Sequence, residues 1–288
     1  MIMTQHTLTL GHSPDPDDAF MFYALAEGRI DTGRWRFEHV LQDIQTLNER
    51  ATRGELDVTA ISIHAYPFVA DKYALTTCGS SMGDGYGPLV VSGRPMTVAD
   101  LKGACVLVPG EMTTAFLTLN ILLGHGNFKH RVVPFDEILE RTARGEGDAG
   151  LIIHEGQLTY QECRLHRVVD LGAWWLEETQ LPLPLGGNCI RRALGEEAMQ
   201  EVTGIVEASI RYGMAHRSEA MEHALRYARD MGYDLAEKFV GMYVNDWTID
   251  YGEKGRRAIT ELLRRGQACG LLPSDAPVVP DFVAPLSN

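Results

Sequence analysis

The 288-residue chain is 45% hydrophobic and 23% charged, ordinary proportions for a folded globular protein, which excludes disordered, collagenous and membrane-bundle classes. Its 39 Asp and Glu against 26 Lys and Arg give a net charge of −13, which argues against a nucleic-acid partner and against docking on anionic membranes. The length accommodates one large domain or two smaller lobes.

Met1 to Leu10 has no basic segment, no unbroken apolar stretch and no small-residue cleavage pattern, so a cytoplasmic location is expected. Cys78, Cys105, Cys163, Cys189 and Cys269 are odd in number and contain no Cys-x-x-Cys pair, which predicts reduced thiols, mostly core filler. Thr7 to Gly11 alternates as a strand and meets the turn-rich His12 to Asp18 before an apolar helix from Ala19 to Ala26. Asp15 is placed to cap that helix, with Pro16 first inside it and Asp17 and Asp18 in its first turn. The three acids read as capping rather than as a cation site, and Ser13 is free to bind a ligand hydroxyl.

Trp35 to Leu41 predicts a strand, Ile44 to Arg53 a helix, Asp57 to Ile63 a strand and Tyr73 to Cys78 another. Gly79 to Gly87 is glycine-rich, lacks the Gly-Lys-Ser/Thr ending of a P-loop, and reads as a mobile surface connection. Pro88 to Ser92 is a further strand. The grammar then repeats: strand Cys105 to Val108, helix Thr113 to Gly124, strand Arg131 to Phe135, helix Asp136 to Arg144 and strand Asp148 to Ile153. Arg53 to Asp57 even resembles Arg144 to Asp148 in letters, so two similar α/β lobes are implied. Leu181 to Gly187 reads as a second crossing between lobes, and helices follow over Glu196 to Ala215, Ser218 to Met231, Leu235 to Tyr243 and Glu253 to Ala268. The expected lobes are residues 1–92 plus 187–288 and residues 93–186, with a ligand in a central cleft between them.

Chemistry is expected at strand ends. Val108 to Ala115 ends a strand, turns at Gly110 and opens a helix with Thr113 and Thr114, where amides and two hydroxyls can hold a carboxylate. Ala60, Ile61 and Ser62 are the corresponding strand end of the first lobe. His154 follows a buried strand between small residues; the stretch alone leaves open a catalytic base or a histidine bonded to a backbone carbonyl. Glu155 is an uncertain partner because neighbours on a strand face opposite ways. The same alternation, with His64 seven residues past Asp57 and His154 six past Asp148, assigns His64 a structural role. No metalloprotease, hydrolase-elbow or dinucleotide motif is present, so cofactor-free acid–base chemistry without a metal is expected.

Gly11 to Phe20, Leu41 to Asn48, Gly87 to Val91, Thr113 to Ala115, Gly150 to Glu155, Asp170 to Trp175 and Leu181 to Gly186 together resemble the 1,4-dihydroxy-6-naphthoate synthase family. The resemblance implies an α/β fold like that of type II periplasmic binding proteins, two-lobed with two interlobe crossings. It implies a lyase of the futalosine route to menaquinone. Such a lyase turns cyclic dehypoxanthinylfutalosine into 1,4-dihydroxy-6-naphthoate and dihydroxyacetone, with no redox cofactor and a small-molecule carboxylate as substrate. By matching motif, His154 is the proton acceptor, Thr114 and Ala115 contact substrate, and Ala60 to Ser62 line the other wall; some members carry a longer polar side chain where this sequence has Ala60. The alternatives are chorismate dehydratase of the same pathway and a non-catalytic solute-binding protein.

Overall fold

The computed structural model describes residues 5–228 and 231–286. Residues 1–4 of the leader reading and residues 229–230 of the expected Ser218 to Met231 helix lie outside the described residues. In chain order the elements are β1 (His6–His12), α1 (Pro16–Met21), α2 (Tyr23–Ala26), β2 (Trp35–Leu41), α3 (Ile44–Arg53), β3 (Val58–Ser62), β4 (Tyr73–Thr76), β5 (Ser81–Gly83) and β6 (Leu89–Ser92). There follow β7 (Cys105–Val108), α4 (Thr114–Leu123), β8 (Lys129–Val132), α5 (Ile138–Ala143), β9 (Ala149–Ile152), α6 (Gly156–Thr159), β10 (His166–Asp170) and α7 (Leu171–Thr179). The chain closes with β11 (Leu183–Arg191), α8 (Glu196–Ala215), α9 (Arg217–Ala224), α10 (Tyr233–Tyr243), α11 (Asp246–Ile249), α12 (Gly252–Ala268) and β12 (Phe282–Val283).

Two compact units result. The first holds the described residues up to Ser81, Gly186–Gly252 and those from Pro280 on; the second holds Met82–Leu185 and Glu253–Val279. This differs from the sequence division at two places. β6 is hydrogen-bonded between β9 and β10, which puts it inside the second sheet. α12 packs there too: Gly266 sits against Leu117, and the Arg265 guanidinium lies 5.2 Å from the Trp175 ring.

In the first unit the strands run β12-β4-β11-β3-β1-β2, with β3, β1 and β2 parallel and β11 antiparallel to β3. β3 is central and buried at every position, as a strand covered on both faces must be. One core joins Leu8, Leu10, Phe20, Phe22, Val206, Ile210 and Val240; a smaller one joins Leu47 and Leu56 to Ala60. The second sheet runs β10-β6-β9-β7-β8, its β9, β7 and β8 parallel, with Leu89, Val91, Leu107, Ile138 and Ile152 packed together.

The lettered repeat has a physical basis. Gly54 and Gly145 both take positive φ (69° and 74°) just after α3 and α5, where only glycine turns the chain without strain. Asp57 Oδ2 then accepts from Thr9 N at 2.9 Å and Asp148 Oδ2 from Cys105 N at 2.8 Å, so each carboxylate ties the incoming strand to its parallel neighbour.

Three local expectations change. Arg131 to Phe135 is not the strand; β8 lies two residues earlier, an exposed edge strand without a buried face to set its register. Gly79 to Gly87 is not a surface connection: Gly79, Ser80, Met82, Gly83 and Gly87 are buried, Gly79 N–H donates to Thr248 O, and Ser81–Gly83 forms β5. Of the cysteines only Cys78 and Cys189 are buried, and burial raises both thiols well above the usual range. Among the described residues no helix is long and apolar enough to cross a membrane.

Candidate active site

In the second unit, β7 and β9 are parallel neighbours, paired through Val106 with Ala149 and Leu107 with Gly150. Their carboxyl ends therefore emerge side by side on one edge of the sheet, bringing together the α4 start and His154. β10 ends on the same edge, since Asp170 pairs with Leu89 and Leu89 with Ile152. Asp170 caps α7 by accepting from Gly172 N and Ala173 N at 2.9 and 3.0 Å, and its carboxyl is raised by burial against those opposing bonds.

Thr113 caps α4: its Oγ accepts from Phe116 N at 3.2 Å and its hydroxyl donates to Gly110 O at 2.8 Å. Thr114 donates its hydroxyl to Leu185 O at 2.6 Å. The sequence expectation of two hydroxyl donors for an anion is thus corrected, because carbonyls of the same unit take both hydrogens. What the helix start offers is the positive end of a ten-residue helix.

His154 is 5% exposed. Its Nε2 lies 2.8 Å from Phe135 O, and the Phe135 ring meets it edge-on with centroids 4.9 Å apart. A carbonyl only accepts, so Nε2 carries the hydrogen and Nδ1 is the basic nitrogen. Nδ1 lies 3.1 Å from Glu155 Oε2 and accepts from Gly156 N–H at 3.3 Å. Strand alternation does not govern this pair, since β9 ends at Ile152 and Glu155 already has helical backbone angles that swing its carboxylate back onto the ring. The comparison with His64 changes for the same reason. Both histidines lie two residues beyond their strands and both pack edge-on against a phenylalanine, His64 against Phe68 with centroids 6.0 Å apart, so neither the offset nor an aromatic neighbour separates them.

In the first unit, β1 and β3 are parallel neighbours, so Ser13, just past β1, and Ser62, the last residue of β3, lie at adjacent strand ends. Ala60 packs with Leu47 and Leu56, and Ile61 is fully buried, which leaves their backbone as the polar part. Ser62 shares Ala60's face and is held twice by Asn48 of α3, which accepts from Ser62 N at 2.8 Å and donates to its Oγ at 3.0 Å. Asn48 was missed as a site residue; its signal is an amide on the buried face of α3, between Leu47 and Ala51. Asp15 occupies the cap position of α1 without a side-chain cap bond. Asp18 instead turns back to accept from Ser13 N at 2.7 Å and also bonds the Ser13 hydroxyl. Burial lifts the Asp18 carboxyl to about 6, and burial followed by the charges of Asp18 and Asp15 raises that of Asp17. Among the described residues no group of three or more His, Cys, Asp or Glu side chains is arranged to hold a metal ion.

The family model for menaquinone biosynthesis matches residues 8–268. A 1,4-dihydroxy-6-naphthoate synthase of Thermus thermophilus is 43% identical over 272 residues, 94% of this chain and 98% of that protein. One from Streptomyces coelicolor is 39% identical over 279 residues, 96% and 98% of the two chains. A Candida albicans protein described as having the generic periplasmic binding protein fold superposes with a TM-score of 0.75 at 12% identity, over 98% of each chain, which shows the shared fold alone. With this fold, the chain belongs to the menaquinone-biosynthesis family that includes the 1,4-dihydroxy-6-naphthoate synthases.

Proposed function

We propose that the protein is a carbon–carbon lyase that converts cyclic dehypoxanthinylfutalosine to 1,4-dihydroxy-6-naphthoate and dihydroxyacetone, on the futalosine route to menaquinone, with His154 as general base. One observation carries this reading: neighbouring parallel strands β7 and β9 end, on one edge of one sheet, in an amide-bearing helix start and an imidazole backed by a carboxylate. The α4 start anchors the substrate carboxylate. His154 takes a substrate proton, and the imidazolium so formed is held by the Phe135 carbonyl and the Glu155 carboxylate, which favours the charged form. The electron pair left behind opens the ring and expels the three-carbon fragment, and aromatisation of the naphthalene supplies driving force. Acid–base chemistry suffices, so the reaction needs no cofactor. Ser13 and Ser62 contribute hydroxyl contacts, Ala60 and Ile61 backbone contacts, and Thr114 and Ala115, on the helix start that Thr113 caps, the anion site.

The test is product analysis by mass spectrometry after separate incubation with cyclic dehypoxanthinylfutalosine and with chorismate. The expected outcome is the naphthoate and dihydroxyacetone from the first and unchanged chorismate from the second. Dehydration of chorismate, or return of both compounds unchanged, overturns the reading. Near wild-type turnover by a well-folded His154→Asn variant removes His154 from the role of base.

A further inference from the structure

The loop after β1 is held by a chain of hydrogen bonds within the first unit that the proposed reaction does not use. His12 Nδ1 lies 3.0 Å from Ser13 O, and His12 Nε2 lies 2.9 Å from His39 Nδ1. Since the carbonyl only accepts, His12 carries its hydrogen on Nδ1 and presents a lone pair at Nε2. His39 must then donate from its own Nδ1, which leaves its Nε2 as the unprotonated nitrogen, buried and without a hydrogen-bond partner. One backbone carbonyl thus sets the tautomer of two rings. Phe22 covers the pair, its centroid 4.8 Å from His12 and 6.4 Å from His39.

Ser13 is gripped from the other side by Asp18, which takes the Ser13 N–H at 2.7 Å and bonds its hydroxyl. Ser13 Oγ carries lone pairs as well as a hydrogen, so it can accept a hydrogen bond from an alcohol. We infer that His39 and His12 are positioning residues: they hold the Ser13 carbonyl so that Ser13 Oγ is set to accept from a hydroxyl group of the substrate. The inference rests on the substrate-binding role given to Ser13 above.

Steady-state kinetics of the full chain on cyclic dehypoxanthinylfutalosine test it. Ser13→Ala and His39→Ala should each raise KM about 5-fold, the size expected for one lost hydrogen bond, with kcat within about 2-fold. The double variant should be no worse than either single one, because both remove the same contact. His39→Asn keeps an N–H donor near the Nδ1 position and should restore KM. A wild-type KM in His39→Ala beside a raised KM in Ser13→Ala sinks the positioning role and leaves the Ser13 contact standing. An unchanged KM in Ser13→Ala overturns both. A readout that needs no variant is nitrogen NMR of ¹⁵N-histidine-labelled protein at neutral pH. Nδ1–H tautomers are expected for both His12 and His39, and an Nε2–H tautomer for either overturns the inference.

Discussion

His12 ends and His154 follows a parallel strand of its own sheet, and each donates one ring hydrogen to a backbone carbonyl. They differ at the second nitrogen. His12 Nε2 meets another imidazole, His39, whereas His154 Nδ1 meets a carboxylate, Glu155. An imidazole neighbour offers nothing to a gained proton, and burial drives His12 and His39 down to about 4, so that pair stays neutral. A carboxylate neighbour welcomes the proton. Burying a histidine against another histidine keeps both rings neutral near pH 7, whereas a carboxylate beside the imidazole suits the general-base role proposed for His154.

The comparison breaks most visibly in kinetics. Replacement of His154 by Gln should lower kcat about 10³-fold, the usual worth of a general base, while His12→Gln leaves kcat within a few fold. Comparable losses in the two variants would erase the distinction. Glu155→Gln comes next: an expected fall in kcat of about 10- to 100-fold, with the acidic limb of the kcat–pH profile displaced to lower pH as the imidazolium loses its counter-charge. An unchanged profile would mean that the carboxylate does not serve the ring.

Stability supplies the next test. The unfolded His12 ring binds a proton near its ordinary value of 6.5 and the folded one only near 4, so its contribution is complete above 6.5 and is lost as the pH falls toward 4. Asp18, raised from 3.8 to about 6, works in the opposite sense and loses stability as the pH rises across that interval, as does the raised Asp17 beside it. His39 reinforces the His12 response, and His223 adds charge repulsion to both. Urea unfolding at pH 7 and pH 5 should therefore show a smaller difference in His12→Asn than in wild type, by on the order of 2 kcal/mol. Equal differences would deny that His12 is buried neutral. The smallest effect is local: Thr113→Ala removes the α4 cap and should cost about 1 kcal/mol in thermal or urea unfolding.

Much of this molecule is legible in its letters. β2, α3, β7 and α8 carry the bounds that alternation, caps and helix periodicity predict, because each has a buried face or an end signal such as Asp43, whose carboxylate accepts from Thr46 N at 3.0 Å. The edge strand β8 is displaced because its four exposed residues carry no such face. α12 joins the second unit for a similar reason: its apolar stripe says that it packs, and only Leu117 and Trp175 say where. His154 was visible as a strand-end histidine and Ser13 as a loop hydroxyl. Asn48, His39 and the Phe135 carbonyl were not, since nothing in their local sequence points at the atoms they bind.

The sequence by itself determined two strand–helix series, the helix start at Thr113, the end of β9 before His154, and the motifs by which the family was read. These depend on short-range periodicity and turn chemistry within a few residues. Tertiary structure decided which nitrogen of His154 and of His39 is protonated. That choice rests on acceptors brought close by folding: Phe135 O, 19 residues from His154, and, for His39, the ring of His12, 27 residues away across the β1–β2 register. Hydrogen-bond polarity is set by where the chain returns, and no local pattern encodes the return.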